Sequence, residues 1–449
     1  MHAPLSAPRV SPASAVVGAL AALLGAALLA AAQPAPDAND EEAIPEERVA
    51  LGHRLFHELN FANPATDFAA SCAGCHADAD TIPDRPARRF ADYTARSLTA
   101  TRELTLRNAP TLLDAGQLAA LGWDGASDDL EAMILDKLTG PLYGWGDDGR
   151  ARALGAIHFT LLHEGGEGTS LTYREELATA YDVDLEPLST EEAVAWGARA
   201  IADYARSLRS TRTTRWDAFV TQNRLHPGPN PGESAESYAY GLLYSRLGNQ
   251  EGRGLVRRPK GFTREAYAGF KTFFRTFTES DEAVGACVLC HTPPSFSDGR
   301  FHDLGVAAAE YDAVHGAGAA AAYRVPAQPS AETRAIPAAD APERIDLGRF
   351  NVTGEAADAG AFRTPSLRHL AGTDPYLHDG SAATLEDAIR AKIRLARLAR
   401  EGKLPRADPL LAKIEIGEDD VAPLVAFLRQ LDEVGEERFR EYLITFEDD

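Results

Sequence analysis

Two copies of one motif constrain this chain more than any other feature of its sequence. The pattern Cys-x-x-Cys-His occurs at residues 72–76 and again at 287–291, and the two copies take up all four cysteines of the 449-residue chain. In this spacing each thiol can add to one vinyl group of a haem, and the adjacent histidine can then bind the iron. A disulfide in each pair, or one zinc ion held by four thiolates, would leave both histidines without a role. The residues predicted to hold two covalent c-type haems are Cys72, Cys75, Cys287 and Cys290 for attachment and His76 and His291 as the proximal iron ligands.

The first 32 residues have the pattern of an export signal. They contain His2 and Arg9, no acidic residue, and a nearly unbroken run of small apolar residues from Ala15 to Ala32. Small residues before the cut fit cleavage near Ala32. An uncut membrane anchor is the alternative, because about 18 apolar residues reach the lower limit for a bilayer span. We expect cleavage and a periplasmic location, in a compartment where haem c is assembled.

The charge balance excludes one class of partner and favours another. The chain has 67 acidic and 45 basic residues, a net charge of −22. A protein that binds nucleic acid needs an excess of cations to neutralise phosphates, so we expect no nucleic-acid partner. An acidic surface favours basic protein partners, because complementary charge raises the rate of encounter.

The order of features in the first half of the chain is repeated in the second half. A helix with one apolar face precedes each Cys-x-x-Cys-His motif, and aligning residues 123–125 with residues 378–380 keeps the helices that follow in register. This repetition indicates the duplication of a whole domain. The apolar residues that define the two faces are Leu51, Leu55, Phe56 and Leu59 in the first half and Tyr267, Phe270 and Phe273 in the second.

Apolar residues almost nowhere alternate with a period of two, so we expect a mainly α fold with two tandem domains, each holding one haem. Residues 307–343 are rich in alanine and proline and are predicted to form a surface insertion. The predicted boundaries are a signal peptide at 1–32, an acidic lead-in at 33–44, an N-terminal domain at 45–220, a connector at 221–262, a C-terminal domain at 263–435 and an acidic tail at 436–449.

Four further runs of residues carry a resemblance to a known family. They are RNAPTLL at 107–113, WDG at 123–125, CHTPPSFSDGRFHDLG at 290–305 and FRTPSLRHLAGTDPYLHDGSAATLEDAI at 362–389. On these motifs the chain resembles the bacterial di-haem cytochrome c peroxidase superfamily, which includes the MauG-type enzymes. The resemblance implies cytochrome c-like domains, with a peroxidatic haem in the N-terminal one and an electron-donating haem in the C-terminal one. It also implies reduction of H₂O₂ to water, electrons from a small cytochrome c or copper protein, and the option of a homodimer.

The resemblance further implies roles for residues between the two haems. In the family a tryptophan at the position of Trp123 lies between the haems and can relay an electron, whereas a packed core aromatic is the plainer interpretation. The family also binds a calcium ion at the domain junction, and the matching positions are Asn108, Thr373 and Pro375. Side-chain and backbone oxygens suit this hard cation, although Asn108 could instead cap a helix or turn. His302 and His378 match family motifs and are expected near the C-terminal haem or its propionates.

The chain departs from the family in the peroxidatic pocket. Tyr143 stands where family members usually have a glutamate that moves a proton during peroxide cleavage, and the next carboxylates are Asp147 and Asp148. Acid–base help of this kind contributes roughly 10²–10⁴-fold, so its loss predicts slower cleavage. Tyr143 can donate a hydrogen bond, form a radical or ligate iron, or it can be a plain wall residue. No histidine lies between His76 and residue 106, where some members supply a displaceable ligand, so the peroxidatic haem is expected to be open unless Tyr143 closes it.

A second departure concerns the electron-donating haem. Family members place a methionine or tyrosine as its sixth ligand, and this chain has Lys392 at that position. Lys392 shares a helical stripe with Leu385 and Ile389, so its stem should point inward, and burial beside a metal favours the neutral amine that can bind iron. Snorkelling toward a propionate or solvent is the alternative. Met133 is the one methionine besides Met1 and lies in the other half, which argues against a His/Met haem.

Three hypotheses follow. The first is a periplasmic di-haem peroxidase that reduces H₂O₂. The second is a MauG-type enzyme that oxidises a protein side chain with peroxide. The third is a di-haem electron carrier or sensor without catalysis, for which the best support is Tyr143 in place of glutamate.

Overall fold

Helices are the main regular structure of the described residues. The computed structural model describes residues 43–65, 71–76, 107–146, 149–166, 168–277, 283–330 and 345–447. The predicted signal peptide and nearly all of the acidic lead-in lie outside the described residues. Within Ile44–Asp449, which forms one compact unit, no described helix is both long and apolar enough to cross a membrane.

The mainly α prediction is confirmed. Two short antiparallel strands, β1 (Phe301–His302) and β2 (Phe362–Arg363), pair Phe301 with Arg363 and His302 with Phe362. A π-helix spans Gly241–Leu247. The described α-helices are α1 (Glu46–His57), α2 (Leu130–Leu138), α3 (Arg150–His163), α4 (Tyr173–Tyr181), α5 (Thr190–Ser207), α6 (Arg215–Gln222), α7 (Ala235–Tyr240), α8 (Gly248–Glu251), α9 (Arg264–Phe274), α10 (Val306–His315), α11 (Ala319–Ala322), α12 (Phe350–Thr353), α13 (Leu385–Arg400), α14 (Val421–Leu428) and α15 (Glu436–Ile444).

The helix before the first motif packs backbone to backbone against α5. A side chain on Gly52 of α1 would place its first carbon 2.0 Å from the carbonyl oxygen of Ala200, so only glycine allows this approach. Helix α5 begins at Ser189, whose hydroxyl accepts from the Glu192 N–H while the Glu192 carboxylate accepts from the Ser189 N–H. Helix α1 buries Leu51, Leu55 and Phe56 as expected. It ends at His57, however, and leaves Leu59 half exposed, so the predicted apolar face is one residue too long.

The helix before the second motif repeats this arrangement with α14. A side chain on Gly269 of α9 would place its first carbon 1.8 Å from the carbonyl oxygen of Pro423. Phe270 and Phe273 of α9 are fully or almost fully buried, as the apolar stripe predicts. A close helix pair held by a glycine therefore precedes each Cys-x-x-Cys-His motif.

Aromatic residues fill the core of the second half. Trp216 on α6 is buried, with its ring centroid 5.4 Å from Phe270 and 5.5 Å from Phe274. The sequence analysis assigned α6 to the end of the N-terminal domain, and the structure packs its aromatic face into the core that also contains Phe427. A separate core joins residues from Leu51 to Tyr204. The two cores thus divide the apolar residues between the halves, and the domain boundaries stay a prediction.

Candidate haem centres

The first Cys-x-x-Cys-His motif folds as a 3₁₀ turn over Cys72–Gly74. The His76 N–H closes the turn by donating to the Cys72 carbonyl at 2.8 Å. The imidazole Nδ1–H donates to the Pro110 carbonyl at 3.0 Å, which leaves the lone pair of Nε2 for a metal. Burial lowers the pKa of His76 to about 4, although the hydrogen bond to Pro110 acts in the opposite direction. The imidazole is therefore neutral at pH 7, the form that binds iron.

The second motif repeats this geometry over Cys287–Leu289. The His291 N–H donates to the Cys287 carbonyl at 2.8 Å, and Nδ1–H donates to the Phe296 carbonyl at 3.0 Å. Burial lowers the pKa of His291 to about 4 as well. A ligating histidine in metalloproteins usually donates its second N–H to such a carbonyl, so both motifs fit a haem with a proximal histidine.

The rival interpretations of the cysteines do not fit the structure. All four cysteines are free thiols. Within the described residues, the group of side chains close enough to share a metal ion is Cys290, Asp298 and His302, not four cysteines. Burial raises the pKa of Cys72 to about 11 and that of Cys287 to about 12.

Tyr143 lies beside the first motif. Its side chain is buried, and its hydroxyl is 3.1 Å from Sγ of Cys72. Burial raises the pKa of Tyr143 well above its usual value, so the phenol is neutral and can donate a hydrogen bond. Asp147 and Asp148, the nearest carboxylates in the sequence, lie outside the described residues.

Trp123 occupies a loop that contacts both the segment before it and the second half of the chain. Its indole N–H donates to the Asn108 carbonyl at 2.7 Å, and its own carbonyl accepts from the Arg363 N–H at 2.7 Å. The indole ring lies edge-on to the imidazole of His378, with 6.3 Å between centroids. His378 in turn stacks on Phe362 at 3.6 Å. Trp123 is half-buried and packs at the edge of a small core.

Three arginines hold the Trp123 loop, and the sequence analysis assigned a role to none of them. Arg107 pairs with Asp124 at 2.5 Å and with Asp346 at 2.7 Å. Arg349 donates Nη1–H to the carbonyls of Asp124 and Gly125 at 3.0 and 2.9 Å. Arg363 donates Nε–H to the Gly122 carbonyl at 3.1 Å. Arg107 and Arg363 lie in the RNAPTLL and FRTPSL runs, so position within a motif was the one available signal.

Two of the three predicted calcium residues are in contact. The Asn108 N–H donates to the His378 carbonyl and its amide Nδ2–H to the Pro375 carbonyl, both at 2.6 Å. Asn108 is buried, caps none of the described helices, and its Oδ1 has no hydrogen-bond partner in the described part of the chain. Thr373 lies two residues before Pro375 and donates its hydroxyl to the Leu370 carbonyl at 3.0 Å. No described contact joins it to Asn108.

Lys392 lies near the second motif. It follows Ile389 by one turn of α13, and Leu385 and Ile389 pack into the same core as Cys287. Burial lowers the pKa of Lys392 to about 8, against the opposite effect of the nearby Cys290 and Asp379.

His302 and His378 have different electrostatic environments. His302 donates Nε2–H to Asp298 at 2.9 Å and Nδ1–H to Asp408 at 2.5 Å. Burial alone would lower the pKa of His302, but hydrogen bonds to Asp298, Cys290 and Asp408 outweigh it and raise the pKa to about 11. His302 is therefore a cation with no lone pair for iron, and it lies beside Cys290 as expected. Burial lowers the pKa of His378 to about 4, so His378 is neutral.

Comparison with known proteins places this arrangement in a family. The family profile described as di-haem cytochrome c peroxidase matches residues 46–224. The cytochrome-c peroxidase IdrP2 of Denitromonas iodatirespirans is 24% identical over 385 residues, covering 82% of each chain. The methylamine utilization protein MauG of Methylophilus methylotrophus is 24% identical over 400 residues, covering 89% of this chain and 85% of that protein.

Solved structures share the fold. A MauG-like protein associated with microbial copper homeostasis has a TM-score of 0.54 at 23% identity, covering 89% of this chain and 93% of the other. The di-haem peroxidase BthA from Burkholderia thailandensis has a TM-score of 0.52 at 18% identity, covering 89% and 87%. Together with the two oriented imidazoles, these matches confirm the resemblance seen in the sequence. Over most of its length the chain is similar to di-haem cytochrome c peroxidases and MauG proteins, and it is a cytochrome-c peroxidase-like oxidoreductase.

Proposed function

We propose that the chain is an exported peroxidase that carries two covalently bound haems c and reduces H₂O₂ to water with electrons from a small redox protein. The observation that carries the proposal is the repeated turn at residues 72–76 and 287–291, in which a backbone carbonyl accepts from Nδ1–H of each histidine and so fixes the orientation of the imidazole. When bound, the haems supply the iron that reacts with peroxide and the store of electrons.

In the N-terminal centre, Pro110 and Tyr143 are the residues with proposed roles beside His76. The Pro110 carbonyl fixes the orientation and tautomer of His76. Tyr143 holds a neutral hydroxyl beside Cys72 and takes the place of the family's glutamate as hydrogen-bond donor. A buried phenol is a much weaker acid than a carboxylic acid, so proton delivery is slow compared with glutamate-containing relatives.

Electrons reach the N-terminal centre through the Trp123 loop. Trp123 contacts His378, and His378 contacts Phe362. Three rings in contact therefore connect the loop to β2. The hydrogen bond from the indole N–H to Asn108 fixes the ring orientation.

A calcium ion binds at Asn108, with the carbonyls of Thr373 and Pro375 as further ligands. Support comes from the unpartnered Oδ1 of Asn108, because a buried amide oxygen without a partner is costly. Turning the amide over would bring Oδ1 toward the Pro375 carbonyl, and two oxygens facing each other suit a hard cation.

Lys392 would supply its amine to the iron of the C-terminal haem. Its helix face packs against Cys287, and Met133 lies on α2 in the other half. The test is electron paramagnetic resonance of the oxidised protein with Lys392→Ala and Lys392→Met. Lys392→Ala should convert one low-spin haem to high spin, and Lys392→Met should restore a low-spin signal. An unchanged spectrum in Lys392→Ala overturns this ligand.

The proposed activity is tested by steady-state oxidation of a reduced basic cytochrome c by H₂O₂, with haem content measured in parallel. We expect turnover that falls by about tenfold in Trp123→Phe, equivalent to about 1.4 kcal/mol in the activation free energy. No peroxide-dependent oxidation by protein with two haems per chain rejects the peroxidase. If such protein also fails to bind CO when reduced, the carrier hypothesis replaces it.

The MauG-type activity is the second candidate, and Tyr143 favours it. A centre without the glutamate cleaves peroxide slowly, which suits an enzyme whose substrate is a docked protein side chain. Peroxide added without any donor protein separates the two candidates. A long-lived near-infrared absorption followed by oxidation of a partner protein supports this candidate, and rapid turnover of a soluble donor without that absorption rejects it.

A further inference from the structure

Arg363 is a buried cation without a counter-charge in the described part of the chain. Only 7% of its surface is exposed. Its backbone N–H donates a hydrogen bond to the Trp123 carbonyl, and its Nε–H donates one to the Gly122 carbonyl. Nη1 and Nη2 of its guanidinium have no hydrogen bond or ion pair with any described residue.

Two other arginines of this fold do have counter-charges. The buried Arg368 makes a two-pronged ion pair with Asp217 at 3.0 and 2.9 Å. The partly buried Arg107 makes one with Asp346 at 2.7 and 2.8 Å. Burial lowers the pKa of Arg363, and no charged neighbour offsets this effect. Because an unpaired buried charge is strongly destabilising, an anion that the polypeptide does not supply is expected next to Arg363.

The strand that carries Arg363 runs along the second motif. The next residue, Thr364, accepts a hydrogen bond from Ser297 at 2.6 Å and donates its N–H to the Arg300 carbonyl at 2.8 Å. The carbonyl of Pro365 contacts the imidazole of His291. The anion expected next to Arg363 is therefore part of the group that binds at the second motif.

We propose that Nη1 and Nη2 of Arg363 bind a propionate of the C-terminal haem, an inference that rests on the proposed haem c at this motif. A planar guanidinium matches a carboxylate in two parallel hydrogen bonds, and propionates are the anionic groups of haem. Arg363 then connects the Trp123 loop to the haem. Its backbone N–H and Nε–H bind the loop, and Nη1 and Nη2 bind the propionate.

The test compares Arg363→Gln and Arg363→Lys with the matched control Arg349→Gln. Arg349 holds the same loop through the carbonyls of Asp124 and Gly125, but its guanidinium lies over the ring of Phe301 on β1, 4.4 Å from the ring centroid. The readouts are the midpoint potential of each haem in a spectroscopic redox titration and the propionate bending mode in resonance Raman spectra. Both are measured without peroxide.

We expect Arg363→Gln to shift the potential of the C-terminal haem negative, because a cation that favours the reduced state is lost, and to shift its propionate mode. Arg363→Lys keeps the charge and should retain most of the potential, with an altered propionate mode because the two-pronged contact is lost. Arg349→Gln should change neither readout.

Three outcomes overturn the proposal. They are unchanged potentials in Arg363→Gln, a shift confined to the N-terminal haem, and an equal shift in Arg349→Gln. Should Arg363→Gln fail to fold, an unchanged propionate mode in Arg363→Lys overturns it instead. A protein that binds both haems but lacks peroxidase activity still tests Arg363, whereas a wild-type protein that takes up no haem at the second motif refutes the proposed function first.

Discussion

At residues 72–76 and 287–291 the chain folds into the same turn, with equal hydrogen bonds of 2.8 Å at the histidine N–H and 3.0 Å at Nδ1. The surroundings of the two turns differ. A neutral phenol, Tyr143, lies against the first, while the second is bordered by the cation His302 and by Lys392. The comparison teaches that the turn fixes how each histidine is oriented, and that the neighbouring side chains are what differs between the two proposed centres.

Removing one proximal imidazole at a time is the strongest test of this comparison. We expect His76→Gly and His291→Gly to keep both haems if thioethers attach them as proposed, and to lose peroxide turnover to background. CO binding at the N-terminal centre of the reduced protein should change in His76→Gly and not in His291→Gly, because that centre is the one proposed to be open. Wild-type turnover in either variant, at two haems per chain, would contradict the division of roles.

Tyr143→Glu should give the next largest effect by restoring the family's proton donor. We expect peroxide cleavage to rise by about 10²-fold, the lower end of the range for acid–base catalysis. Stopped-flow mixing with H₂O₂ measures the rate. Tyr143→Phe should slow cleavage, while the matched control Tyr173→Phe, which removes another buried phenol that hydrogen-bonds Glu58, should not. If Tyr143→Phe and Tyr173→Phe changed the rate of peroxide cleavage equally, Tyr143 would only line the pocket.

The two glycine contacts allow each half to be destabilised separately. Gly52→Ala and Gly269→Ala each force a methyl group into a facing carbonyl, and we expect a loss of at least about 1–3 kcal/mol in the free energy of unfolding. Thermal unfolding followed in the absorption of each haem shows which half opens first. Gly155→Ala on α3, where a side chain meets nothing within 4 Å, is the control and should stabilise by roughly 0.5–1 kcal/mol.

A smaller effect follows from the charged neighbourhood of the second centre. Burial raises the pKa of Asp303 from 3.8 to about 6, with Asp408 adding to the rise and Arg406 opposing it. The folded state therefore holds a proton that the unfolded state releases, so this group's contribution to stability is complete below pH 4 and is lost as the pH rises through 6. Asp303→Asn should raise the free energy of unfolding by on the order of 1–2 kcal/mol above pH 6. Unfolding curves from pH 4 to pH 8 measure it, and equal gains at both ends would contradict the mechanism.

The two Cys-x-x-Cys-His motifs are visible in the sequence because their chemistry is local, and haem attachment at them stays a prediction. Two thiols and an imidazole within five residues form the turn by themselves, and both turns have the predicted histidines oriented by carbonyls. The apolar stripes of α1 and α9 are equally local, which is why Phe56 and Phe270 are buried as expected.

Long-range pairings were beyond sequence reasoning. Nothing in the order of residues indicates that Arg363 holds the loop of Trp123, or that Trp216 packs among residues of the second half. The predicted insertion at 307–343 was interpreted as surface, yet Ala307 and Ala320 are buried in a small core with Phe350. A composition rich in alanine does not distinguish an exposed loop from a tightly packed one.

The contacts of three arginines with the Trp123 loop bear on the rate of electron transfer. Electron tunnelling falls off exponentially with distance, so a relay on a loose loop would pass electrons at a rate averaged over many separations. Arg107, Arg349 and Arg363 fix the loop through both its backbone and its side chains. If electrons cross at Trp123, the barrier they meet has a constant width, and the molecule transfers them at one rate.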